Sequence, residues 1–114
     1  MTEALSDDVV LHSPVLFKGF EGREAVGLIL SHVAEVLEGL TYTDEALGDG
    51  TAVLRFEARV GELELEGIDY LTLDEDGRVS DLTVFMRPLT ALTAFNARMA
   101  ERLGVELPPS VSSL

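Results

Sequence analysis

The chain has 114 residues, 46% of them hydrophobic, which is enough for one domain with one core; at this length folding removes roughly 60–70% of the extended chain's surface from water. Twenty-one acidic against eight basic side chains leave a formal charge of -13, which repels phosphate backbones and anionic headgroups and argues against nucleic acid and membrane as partners. With no cysteine there is no disulfide framework, no thiol nucleophile and no thiolate metal site.

The acids are dispersed along the chain, as on a solubilising surface rather than in an acidic tail. Residues Met1 to Asp8 carry no basic stretch of the kind that opens a signal peptide. The longest apolar run, Ala25 to Leu30, is broken by Gly27 and is too short to span a bilayer. These features lead to the expectation of a cytoplasmic protein. Aromatic residues are few, five Phe and two Tyr, so the interior is built mainly from Leu, Val, Ile and Ala.

In chain order, Val9, Val10 and Leu11 form a short β-prone run that stops at Pro14, a residue unable to donate to a sheet ladder. Gly19 and Gly22 punctuate a loop. From Arg23 the apolar positions Val26, Ile29, Leu30, Val33 and Leu37 recur at helical spacing, predicting an amphipathic helix that ends near Gly39. Glu24 in its first turn suits the positive end of the helix dipole. Beyond Gly39 the period becomes two. Leu40 to Leu47 is a weak strand, and Thr51 to Val60 alternates cleanly, with Ala52, Leu54, Phe56, Ala58 and Val60 on one face. The turn Gly48-Asp49-Gly50 joins them as a hairpin. Strands over Glu62 to Leu73 and Val79 to Arg87 follow, linked by the Asp74–Gly77 turn. Pro88 ends the sheet, and Leu89, Leu92, Phe95, Met99 and Leu103 mark one stripe of a helix that stops at Gly104. The segment 107–114, with two prolines and three serines, reads as a flexible tail to a single domain over 1–106.

One residue breaks the pattern. In the strand from Glu62 to Leu73 the odd positions read Leu63, Leu65, Gly67, Asp69, Leu71 and Leu73, so a single carboxylate sits on an apolar face. Such a group must be hydrogen-bonded, paired with a cation, open to a wet cavity, or protonated through a raised pKa. Asp69 is therefore a candidate pocket or catalytic residue, against a purely structural role in bonding a neighbouring backbone or hydroxyl group. His12, just before the Pro14 stop, is a second candidate, able to trade a proton with a carboxylate near neutral pH. The sequence leaves open which face of its strand meets the core. His32 reads as a helix-boundary residue. Two separated histidines without cysteine make no metal-ligand spacing, and neither a cofactor-binding loop nor a nucleophile elbow is present. Asp74, Asp76 and Gly77 imitate the start of a calcium loop, but Phe85 stands at its closing position.

Taken in order, Asp8-Val9-Val10-Leu11-His12-Ser13-Pro14, then Gly22-Arg23-Glu24-Ala25-Val26, then Gly67-Ile68-Asp69-Tyr70 through Gly77-Arg78-Val79, the chain resembles the nuclear transport factor 2-like group, which includes ketosteroid isomerases and SnoaL-like polyketide cyclases. The resemblance covers Asp7 to Pro88. It implies an α+β fold: a cone-shaped, curved antiparallel sheet wrapped around a main helix, here with a C-terminal helix. In ketosteroid isomerase a protonated Asp donates to the oxyanion, and that residue lies eight positions before the turn glycine, a spacing that Asp69 and Gly77 reproduce. The same resemblance implies that Leu82, Val84 and Met86 line the pocket wall, together with Ser13, Phe56, Gly67 and Leu71. It also implies a homodimer formed through the outer sheet face, where Ile68 and Tyr70 fall. The family's general-base Asp, which precedes a Pro, falls on Ser13, whose neutral hydroxyl is no substitute for a carboxylate. The tyrosine that completes the family's oxyanion hole lies on an N-terminal helix that is reduced here to a stub.

The expected function is binding of a small lipophilic molecule, with Asp69 or Ser13 making one orienting contact and no cofactor or metal. The alternatives are an isomerase, cyclase or hydrolase using Asp69, with His12, as acid and base, and a structural domain whose pocket is filled by its own side chains.

Overall fold

A computed structural model describes residues 2–104; the tail over 107–114 expected from the sequence lies outside them. After a single 3-10 turn at Thr2–Ala4, the elements are β1 (Leu5–His12), β2 (Phe20–Glu21), α1 (Arg23–Val36), β3 (Glu38–Leu47), β4 (Thr51–Val60), β5 (Leu63–Leu73), β6 (Val79–Arg87) and α2 (Leu89–Leu103). The six strands form one sheet in the order β2-β1-β6-β5-β4-β3. From β3 to β6 the pairing is antiparallel, as a chain of hairpins dictates. β1 instead runs parallel to β6, from which α1 and four strands separate it in sequence, so the sheet is mixed rather than wholly antiparallel.

The alternation read in β4 and β5 is realised in the ladder. Phe56, Ala58 and Val60 face Gly67, Leu65 and Leu63 across the β4–β5 pair, and the intervening Arg55, Glu57 and Arg59 face Ile68, Glu66 and Glu64 on the other side. Both helices pack on the apolar side. α2 lays Ala91, Phe95 and Met99 against Phe56, Ala58, Val60 and Leu65, with Val36 and Leu37 from the end of α1, in one buried cluster. A second cluster joins Leu5, Val9 and Leu11 of β1 to Val26 of α1 and Leu82 of β6. Each large side chain buried in this way contributes about 1.5–3 kcal/mol.

The first turn of α1 ties β1 to the helix. Arg23 donates from Nε and Nη2 to the Leu5 carbonyl at 3.0 and 2.8 Å, and the Gly22 N–H donates to the Val9 carbonyl at 2.9 Å. These bonds extend β1 well beyond the three residues that the sequence marked. The helix stops at Val36, short of Gly39, because Leu37 turns to extended backbone and leads straight into β3. At the other end of the chain Gly104 takes the left-handed conformation, φ 69, and its N–H returns to the Ala100 and Glu101 carbonyls, closing α2 where the sequence placed its end.

Gly67 is a point of close approach between β5, β6 and the Phe56 ring. A Cβ at this position would meet the carbonyl oxygen of Phe85 and lie 2.7 Å from Cζ of Phe56, whose ring occupies the space that a side chain would need. Phe56 is 2% exposed and belongs to the α2-facing cluster, so it has no room to withdraw. Gly67→Ala is expected to destabilise the fold by at least roughly 1–3 kcal/mol, the usual cost of overpacking, as read from the urea midpoint. A midpoint unchanged from wild type would show that the strands separate at no cost.

Candidate ligand-binding site

Three cross-strand rows on the helix-facing side of the sheet define the site. Tyr42, Phe56, Gly67 and Met86 form one; Glu45, Leu54, Asp69 and Val84 the next; Leu47, Ala52, Leu71 and Leu82 the third. The two buried clusters lie towards opposite ends of these rows and are bridged by the partly buried Ile29 and Val84. Asp69 stands beside Val84 at that junction, where the packing changes from one cluster to the other. Leu54, Asp69, Leu71, Val84 and Met86 are all half-buried. The hairpin of β3 and β4 is more open still. Every residue of β3 is exposed, Leu47 and Tyr42 to 73% and 54%. The result is an apolar surface, closed by α2 at the Ala58–Leu65 end and accessible from the β3 side.

Among the described residues Asp69 has one side-chain hydrogen-bond partner. Tyr42, reaching across β4, donates its phenol to Asp69 Oδ2 at 3.2 Å. The tyrosine ring is held edge-on to Phe56, with centroids 6.3 Å apart and planes at 73°. Burial lifts the Asp69 carboxyl above the ordinary carboxylate range, while the bond from Tyr42 pulls the other way. The phenol is pushed up to about 12, first by its own desolvation and then by the charge and hydrogen bond of Asp69. Tyr42 escaped the sequence reading because β3 carries a register shift between Tyr42 and Asp44. Strict alternation through such a bulge assigns a residue to the wrong face. The signal available was a lone aromatic two strands from an unpaired inward carboxylate.

The other candidates fall in different places. Phe56 and Leu82 are buried in the two clusters, and Leu71, Val84 and Met86 border them, all on the Asp69 side. Gly67 lies in the same row, against the Phe56 ring and the Phe85 carbonyl. His12 lies in a row with Thr83, Tyr70 and Val53 on the opposite side of the sheet, where Nε2 is 3.0 Å from Asp81 Oδ2. His12 and Asp69 thus do not form the acid–base pair that the sequence suggested, because the parallel pairing of β1 turns Leu11, not His12, to the core. Ser13 closes its own turn. Its Oγ accepts from the Leu16 and Val15 N–H groups at 3.1 and 3.4 Å. A separate groove of about 310 Å³ at the start of β5 is bordered by Glu57, Glu64, Glu66 and Arg87. Glu66 there is already bound by Arg55 and Arg87. Among the described residues no three His, Asp or Glu side chains are placed to hold a metal ion, and no helix is long and apolar enough to cross a membrane.

The raised Asp69 carboxyl has a consequence for stability. A folded state that holds the proton more tightly than the unfolded chain is favoured below the unfolded carboxylate pKa of roughly 3.9 and loses stability as pH rises through the higher folded value. Asp69→Asn, which keeps an acceptor for Tyr42, is therefore expected to raise the thermal midpoint near neutral pH and to leave it unchanged near pH 3. An equal shift at both pH values, or a loss at neutral pH, would contradict this assignment.

No protein-family model matches the chain, and no curated protein does. Solved structures do. A steroid delta-isomerase from Pseudomonas aeruginosa is 40% identical, with a TM-score of 0.87 over 90% of this chain and 77% of that one. A cystatin-like-fold protein from Silicibacter pomeroyi DSS-3 is 31% identical, with a TM-score of 0.89 over 92% and 74%. An NTF2-like protein from Mesorhizobium loti shares the fold at 14% identity, with a TM-score of 0.67 over 76% and 75%. The curved sheet, the helices on its concave side and these identities together establish that the chain belongs to the nuclear transport factor 2-like superfamily.

Proposed function

We propose that the concave face binds a small lipophilic molecule, which the Asp69–Tyr42 pair orients through one polar contact. The observation that carries this reading is the 3.2 Å phenol–carboxylate bond on a half-buried, otherwise apolar surface. A desolvated carboxylate with a single partner among the described residues leaves acceptor sites for something else, and apolar walls with one or two convergent polar groups are what small-molecule sites are made of. Leu54, Leu71, Val84 and Met86 supply the apolar contact.

A second reading, isomerisation of a hydrophobic substrate, draws support from the 40% identity to a steroid delta-isomerase. Asp69 would then serve as acid and Tyr42 as its partner. It lacks a base: Ser13 is neutral and engaged in its own turn, and His12 is on the far side of the sheet. A titration with the neutral dye Nile red, with competition by a β,γ-unsaturated steroid ketone, separates the readings. Saturable dye fluorescence, with no growth of conjugated-enone absorbance when the ketone is added, is the expected result. Enone formation above the buffer rate would favour the isomerase, and the absence of any saturable binding would overturn both.

The outer face suits a second copy of the chain. It carries the exposed Tyr70 and Phe85 beside Ile68, and its charges are matched locally, Arg55 with Glu57 and Glu66, and Arg87 with Glu66. In a chain of charge -13 such a neutral patch is where two copies approach with least repulsion. Sedimentation at micromolar concentration should give a dimer, and Phe85→Glu should give a folded monomer. A monomeric wild type would refute this assembly.

A further inference from the structure

The charges on the concave face constrain the polar group that an occupant carries. Along the row Glu45, Leu54, Asp69 and Val84 both charged members are acids. The neighbouring rows, Tyr42-Phe56-Gly67-Met86 and Leu47-Ala52-Leu71-Leu82, contain no charge at all. Four of the eight basic side chains are engaged elsewhere. Arg55 and Arg87 bond Glu66 on the opposite side of the sheet, Arg23 bonds the Leu5 carbonyl and Asp7, and Arg102 bonds His32 and Glu35.

Three ligand classes meet this surface differently. A carboxylate or phosphate would lie beside Asp69 with no cation to neutralise it, at the cost of like-charge repulsion in a partly desolvated place. A neutral ketone or ether offers only an acceptor, yet the phenol proton of Tyr42 is already directed to Asp69 Oδ2, and an ionised Asp69 has none to give. A protonated amine offers what the pair lacks, N–H donors and a positive charge, and a charge-assisted bond of this kind is about twice as strong as a neutral one. Burial also disfavours the Asp69 charge in the empty site, and a bound cation reverses that penalty. The overall charge of -13 attracts cations from beyond contact distance, to within the Debye length.

We propose that the occupant is a lipophilic amine whose ammonium group binds the Asp69 carboxylate, held in place by Tyr42, while its hydrocarbon body lies on Leu54, Leu71, Val84 and Met86. This inference rests on the small-molecule reading above and narrows it to one chemical class.

Calorimetry with two matched series tests it: adamantylmethylamine, adamantylmethanol and adamantane carboxylate, and octylamine, octanol and octanoate. In at least one series the amine should bind wild-type protein about tenfold or more tightly than the alcohol, a difference of about 1.4 kcal/mol, and the carboxylate should bind most weakly. Asp69→Asn should bring the amine down to the level of the alcohol. A carbon-13 titration of the Asp69 carboxyl should show its pKa falling when the amine is bound, a readout that needs no variant. If the alcohols bind as well as the amines, the amine assignment is wrong and the apolar site stands. If no member of either series binds, the small-molecule reading falls and this inference falls with it.

Discussion

The absence of a Cβ at Gly67 is the constraint on which the rest of the molecule depends. Where the backbone of β5 approaches the Phe85 carbonyl, the ring of Phe56 fills the space over the glycine, and that ring is a central element of the cluster under α2. The packing that holds α2 to the sheet and the close approach of β5 to β6 thus meet at one residue. Packed interiors leave few voids, so a side chain at this point has to displace either a ring or a strand.

The interior is divided in two. The cluster under α2 and the cluster between β1 and α1 are each well packed, and among the described residues the partly buried Ile29 and Val84 are shared by both. A single continuous core would have buried Asp69 completely and left its charge without water or partner, at a cost of several kcal/mol. Its position at the junction, with access from the exposed β3 edge, makes a carboxylate tolerable on an apolar face. Tyr42 contributes the remaining stabilisation by bonding Oδ2.

The electrostatic arrangement of the two sheet faces is equally uneven. Arginines and glutamates of β4, β5 and β6 pair with one another on the outer face, whereas the three rows around Asp69 on the concave side carry acids alone.

The amino-acid sequence by itself determined the elements whose signals are local. The two-residue period of β4 and β5, the helical stripe from Leu89 to Leu103, the turn at Gly77 and the stop at Gly104 all arise from backbone preferences within a few residues, and each is found where the pattern put it. The inward carboxylate at Asp69 was legible for the same reason, since alternation along one strand suffices to fix its side. Only the tertiary structure decided who stands beside it. Tyr42 reaches Asp69 through the register of two further strand pairings and a bulge, and His12 is excluded from the site by the parallel docking of β1 on β6, a contact between residues about seventy positions apart in the chain. Register between distant strands is set by how whole faces pack against the helices, an energy summed over many residues, and no local pattern in the sequence reports it.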